Sequence, residues 1–321
     1  MTLVSKMLAI TLGLGLAGLA PIAHAQYPQK PLRMIVAGSA GGGPDVIARV
    51  LTDKLDPLLG KRVVVENRPG ANGLIAMNAL RQAPADGYTL GLVQAAIVTT
   101  TPLTYKEATY DIDRDYGTVG MVASTPFLFV ANAHAPGKSL AEVIALARAK
   151  PDDVVIGNPQ RASFPHLAAE LLAQRSGVRF RQIPFSSGQG VRAVVSGDIP
   201  YYVDGPNVFP LVKSGTLRVL AVTADRVLPG LEGIPLAKDT VRELTVYGWF
   251  MVAVPKGTPA AAIQRLNLEI NKAIGMSDVI GRFRDLGAYA MPGSIEDAQR
   301  FVRSEKELWA KVIREAGIAA E

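Results

Sequence analysis

From Leu32 to Leu59 the chain reads as an apolar strand, the turn Gly38-Ser39-Ala40-Gly41-Gly42-Gly43-Pro44-Asp45, and an amphipathic helix. Glycines let a backbone approach a ligand closely, and a helix start presents unpaired N–H groups to an anion. The chemistry this predicts is capture of a carboxylate or phosphate by backbone amides. Nucleotide chemistry is not indicated, since the turn lacks G-x-G-x-x-G spacing and no G-x-x-x-x-G-K-[ST] occurs. Covalent catalysis finds no G-x-S-x-G elbow, and Ser163 near His166 on one helix start does not make a triad. The chain has no Cys, and neither His134 nor His166 sits in a metal-ligand spacing, so no metal and no other cofactor is expected. A periplasmic hydrolase stays the weakest alternative to a non-enzyme.

The elements that must position this turn are alternating short apolar strands and amphipathic helices, the signature of an α/β fold with largely parallel sheets. Gly43 as N-cap and Pro44 at the first helical position open a helix with Val46, Ile47, Val50, Leu51 and Leu55 on one face, and Gly60 closes it. A second strand, Arg62 to Val65, leads through Asn67-Arg68-Pro69-Gly70-Ala71-Asn72-Gly73 into a helix bearing Leu74, Ile75 and Leu80. A third, Thr89 to Val93, ends at Gln94, so three strand ends are expected to converge. From Phe127 a new series begins, with Ser139 and Glu142 as a capping box and strands at Val154 to Ile156, Tyr201 to Val203 and Leu217 to Val222. The last third holds the strand Tyr247 to Val254 and helices opened by Thr258-Pro259 and Ser294. The stripe Ile295, Ala298, Phe301, Val302, Leu308, Trp309, Val312 is expected in the core.

Lys6, an apolar run from Met7 to Ala20 and Ala23-His24-Ala25 form an export signal, with the mature start expected at Gln26 and a periplasmic location. Removing residues 1–25 from 321 leaves more than one usual domain, which suggests two. The net charge of +6 is spread out, without the basic blocks of nucleic-acid surfaces, and no later segment is apolar enough to span a bilayer. Without disulfides, stability must come from buried core.

Taken together, Leu32-Arg33-Met34-Ile35-Val36, Gly41-Gly42-x-x-Asp45, Ala48-Arg49, Val64-Val65-Glu66-Asn67-Arg68-Pro69-Gly70-Ala71-x-Gly73 and Asp86-Gly87-Tyr88-Thr89-Leu90 resemble the Bug receptors. These are the extracytoplasmic solute-binding proteins of tripartite tricarboxylate transporters, the TctC family. Ser163-x-x-His166-Leu167, Pro184-Phe185, Gly197-Asp198, Leu220-Ala221-Val222-Thr223, Trp249-Phe250 and Pro255-x-Gly257-Thr258-Pro259 extend the likeness through the chain. It implies a two-domain periplasmic-binding-protein-like (type II-like) α/β fold: residues 26–125 plus 246–321 as one domain, 126–245 as the other, hinges near Ser124 to Pro126 and Thr245 to Gly248.

The resemblance also implies a carboxylate held by backbone N–H groups between the domains. Gly42 and Gly43 would present one helix start, Ala71, Asn72 and Gly73 a second, and the Asn158 to Pro165 loop, with Ser163 and Phe164, a third. Where the family commonly has Pro-Phe-Pro-Pro and a Thr before the Asp, this chain has Ala37-Gly38-Ser39-Ala40 and Pro44, which widens the pocket floor and leaves Ser39 to supply a hydroxyl. Gln94 stands where small hydroxyl residues are frequent. Arg161 is the candidate clamp for a second carboxylate, or else a solvated loop cation. Asp204 would hold an ammonium or hydroxyl, or else cap the segment from Pro206 to Val212. His166 borders the ligand loop, or packs. The expected ligand is a small carboxylate, the expected receiver a permease, or a membrane sensor if the protein signals, and the expected state a monomer without nucleic acid.

Overall fold

The computed structural model describes residues 27–185 and 188–320; the expected export signal and Gln26 lie outside the described residues. The strands, in chain order, are β1 (Leu32–Val36), β2 (Val63–Asn67), β3 (Thr89–Gln94), β4 (Tyr116–Pro126), β5 (Leu128–Asn132), β6 (Val155–Pro159), β7 (Arg181–Phe185), β8 (Tyr201–Asp204), β9 (Leu217–Val222), β10 (Tyr247–Pro255) and β11 (Tyr289–Ala290). They form two sheets, ordered β11-β4-β10-β3-β1-β2 and β7-β6-β8-β5-β9. The helices of eight residues or more are α1 (Gly43–Leu59), α2 (Leu74–Arg81), α3 (Leu140–Ala149), α4 (Phe164–Ser176), α5 (Gln189–Ser196), α6 (Ala260–Ile274), α7 (Ser277–Asp285) and α8 (Ile295–Glu315).

The two-domain α/β architecture is as expected, but the sheets are mixed rather than largely parallel. β1 pairs parallel with β2 and β3, and β6 with β7 and β8. β10 runs antiparallel to β3 and β4, and β5 antiparallel to β8 and β9. The physical reason is the route of the chain: β10 returns from the second sheet and inserts between two strands of the first, so sequence neighbours say nothing about its direction. The expected strands also omit β4, whose apolar run is broken by Gly117 and Gly120; Gly120 leaves room there for the Asn267 amide, which a Cβ would approach to 2.7 Å.

Helix α1 forms as its pattern predicts. Ile47, Val50, Leu51 and Leu55 are buried against the first sheet, and Gly60 ends the helix at φ 66. Its N-cap is Gly42, one residue before the expected Gly43. Helix α6 is likewise capped by Pro259 rather than Thr258. At α3 Ser139 caps the Glu142 N–H, but Glu142 returns its carboxylate to Lys138 N at 2.9 Å instead of completing the box. Ile75 leaves the expected apolar face and is exposed. On α8, Trp309 is fully buried, as expected.

One core cluster runs through both sheets, taking in Ile35 and Trp249 from the first, Phe129 and Tyr201 from the second, and Trp309 of α8 between them. The chain leaves the first sheet after β4 and re-enters it at β10, and both crossings are tied to one buried side chain. Thr223 Oγ1 accepts from Phe127 N at 2.9 Å and donates to Val246 O at 2.5 Å.

Candidate functional site

A cavity of about 590 Å³ opens where the strand ends of the two sheets face each other. Ser39, Ala71, Asn72, Gly73, Gln94, Arg161, Ser163 and Phe164 line it; Gly42, Gly43, His166 and Asp204 do not.

The floor begins at the end of β1. Gln94, at the end of β3, donates its amide to Ala37 O at 2.9 Å and so fixes the segment leading to Gly38 and Ser39. The start of α1 lies off the cavity and is occupied by an anion of the chain's own. Asp45, only 2% exposed, accepts from Gly41 N, Arg49 Nε and Asn67 Nδ2, each at 2.9 Å, while Gly42 N closes back on Ser39 O. The Arg49 guanidinium holds the Asp45 carboxyl down at about 2. The glycine turn therefore builds a charged knot that braces the floor.

The second wall is the turn before α2. Gly70, Ala71, Asn72 and Gly73 have φ of 110, 45, 47 and 89. Two of these are not glycine, and each such residue in the left-handed region costs about 1 to 2 kcal/mol. Runs of this kind turn successive N–H groups into one concavity, a form that suits an anion. Gly73 is required twice over, by its φ and by Ile97, whose Cδ1 would lie 2.4 Å from a Cβ.

The third wall comes from the second sheet. β6 extends to Pro159, so Asn158 is a buried strand residue and the loop is Gln160 to Ser163. Gln160 and Ala162 are again left-handed non-glycines, φ 58 and 59. Gln160 N donates to Phe185 O, Ala162 N to His166 Nδ1 at 2.9 Å, and the Ser163 hydroxyl to Pro159 O. His166 thus lies beneath the loop as an acceptor, and burial, with Arg161 adding to it, pushes its imidazole down to about 4. The Ser163 hydroxyl accepts from the backbone N–H of His166 and makes no bond to the ring, so, as expected, the two do not form a catalytic pair. Asp204 is buried at the end of β8 and accepts from Gly205 N at 2.7 Å. Across the cavity, Gln160 Nε2 donates to Asn72 Oδ1 at 3.4 Å, joining the two loops.

Several lining residues escaped sequence reasoning. Thr100, Thr101 and Thr104 follow β3, and Phe127, Trp249 and Phe250 come from the crossings. The hydroxyl run Thr99-Thr100-Thr101 just past a strand end was a readable signal; the aromatics resemble any core residue. Among the described residues, Arg161 is the single charged side chain lining the cavity, and no carboxylate lines it. Among the described residues no group of three or more His, Cys, Asp or Glu is placed to hold a metal, and no helix is long and apolar enough to cross a membrane.

Residues 47–318 match the family described as TctC, tripartite tricarboxylate transporter family receptor. Protein BugT of Bordetella pertussis is 33% identical over 322 residues, covering 99% of each chain. Among solved structures, R. palustris Rpa4515 with adipate is 31% identical, with a TM-score of 0.79 over 92% of this chain and all of that one. MatC (Rpa3494) from Rhodopseudomonas palustris with bound malate is 26% identical, with a TM-score of 0.73 over 89% of this chain and all of that one.

Proposed function

The chain belongs to the TctC family of tripartite tricarboxylate transporter receptors, and from that premise we propose that it captures a small dicarboxylate in the cleft between its sheets. The supporting observation is electrostatic: among the described residues the cavity is lined by one cationic side chain, Arg161, by no carboxylate, and by a left-handed amide turn on the facing wall. One carboxylate of the ligand meets the N–H groups of Ala71 and Asn72, with Ser39 and the Ser163 loop beside it, while the Gly73 N–H closes the turn on Gly70 O. The other meets Arg161, whose planar guanidinium matches a carboxylate in bidentate fashion. Phe127, Phe164 and Trp249 cover the carbon chain between. Gly42, through Ser39 O, and His166, through Ala162 N, hold these groups from behind.

The solved relatives carry adipate and malate, both dicarboxylates, which agrees in ligand class without naming this chain's own. A charge-assisted hydrogen bond nets roughly 1.5 to 3 kcal/mol, so a few of them reach the ~8 kcal/mol of micromolar affinity. Such binding suits a receptor that must release its solute to a permease. The location follows: the protein acts in the periplasm after cleavage behind Ala25, as a monomer delivering to membrane subunits.

The test is calorimetric titration of refolded protein with adipate, malate and their monoacid analogues, repeated with Arg161→Ala. Diacid affinity should fall roughly tenfold or more in the variant, while the monoacid changes little. Equal losses for both would show that Arg161 does not clamp the second carboxylate, and no binding of any acid by the parent protein would remove the carboxylate reading.

A further inference from the structure

Helix α8 presents Phe301, Glu305 and Trp309 at spacings of four residues, so a carboxylate stands in the middle of an apolar stripe. The reason lies in its partners. Glu305 Oε2 accepts from Trp249 Nε1 at 3.0 Å and from Trp309 Nε1 at 3.0 Å. These are the two tryptophans of the chain, and both are buried. Trp249, on β10, lines the cavity and meets Phe301 edge-on, 5.7 Å between ring centroids. Trp309 packs on Phe164 at 4.7 Å, and Phe164 lines the cavity from the second sheet's side as the first residue of α4.

An indole has one N–H and no acceptor, and a buried indole left unpaired loses that bond without compensation. One carboxylate oxygen satisfies both rings here, and in doing so it fixes the plane of each. One ring is part of the cleft wall on the first sheet, and the other backs the wall on the second. Burial pushes the Glu305 carboxyl up, so its place among these rings carries a cost.

We propose that Glu305 is a positioning residue of the ligand site, orienting Trp249 in the cleft wall and Trp309 behind Phe164 through its two indole hydrogen bonds. The inference rests on the reading of this cleft as the ligand site, and the test separates the two. With Trp309→Phe, Trp249 becomes the single tryptophan emitter, and acrylamide quenching of its fluorescence reports how firmly the ring is held, with no ligand present. Adding Glu305→Leu should raise quenching while circular dichroism stays unchanged, and Glu305→Gln, which keeps an acceptor, should bring it back toward the parent value. In the two-tryptophan protein, adipate affinity should drop roughly tenfold in Glu305→Leu and recover most of that in Glu305→Gln. A lower melting temperature with unchanged quenching and unchanged adipate affinity would make Glu305 a stability residue and overturn the proposal. If the parent protein binds neither adipate nor any other of the acids, the ligand reading fails alone, and the quenching result still decides whether Glu305 holds Trp249. Glu305→Ala, judged by the same two criteria, replaces Glu305→Leu should the latter not fold.

Discussion

His166 works as an acceptor, and that makes the loop it supports sensitive to acid. Its Nδ1 receives the Ala162 N–H, a bond that only the neutral ring can make, and the loop it holds carries Gln160 and Arg161 into the cavity. The native imidazole is pushed to about 4, against about 6.5 when free. As pH falls below 6.5 the unfolded chain takes up the proton first, so stability is lost from there down to about 4 and is constant above. Two and a half units correspond to about 3 kcal/mol at most. Glu170, whose Oε1 lies 3.6 Å from His166 Nε2, has a carboxyl raised by burial; it takes up its proton earlier in the native state and offsets part of the loss. His166→Asn keeps an acceptor without titrating, so its melting temperature should fall less steeply between pH 6.5 and 4 than that of the parent. Parallel profiles would show that the ring's protonation has no part in it. The sequence placed His166 beside the ligand loop, and its role as an acceptor beneath that loop became visible only with the left-handed backbone of Ala162.

At the scale of elements, the two crossings between the sheets meet on Thr223. The side chain bonds the Phe127 N–H of the outgoing strand and the Val246 carbonyl of the returning one, and its backbone bonds the same two residues. Thr223→Val keeps the shape and strands two buried polar groups, each worth about 1 to 3 kcal/mol, so urea unfolding should register a loss of roughly 2 to 6 kcal/mol, largely restored by Thr223→Ser. A loss no larger than that of an exposed Thr→Val change would mean that the crossings are held by their backbone alone. The same elements show how much of the fold was legible. Periodicity and caps delivered the span of α1 and the Ser294 start of α8 nearly to the residue, because apolar stripes and cap signals are local. Strand direction was not legible, since β10 pairs with strands more than a hundred residues earlier. In the site, the turn at Ala71 to Gly73 and the Arg161 loop were readable from glycine and charge. Trp249 was not, because a buried cleft aromatic and a core aromatic look alike until the cavity beside it is seen.

Across the whole molecule, two sheets on either side of a cleft would ordinarily suggest two independently unfolding units. The packing argues otherwise. Phe164 of the second sheet's helix α4 stacks on Trp309 of α8, Gln174 of α4 donates to Val312 O on α8, and one apolar cluster passes through both halves. Each half has an apolar cluster of its own, but the cluster they share joins them, and with no cysteine in the chain no disulfide takes over that task. Heating should therefore give one cooperative transition with calorimetric and van't Hoff enthalpies in agreement, unaltered by reductant. A diacid bound as proposed would touch both halves and stabilise the native state by mass action, about 2.7 kcal/mol at a hundredfold excess over its dissociation constant. That single transition should move up as a whole under diacid. Two resolved transitions, with only one moved by ligand, would show that the halves unfold separately and that the contact through α8 is a docking surface between domains rather than a shared core.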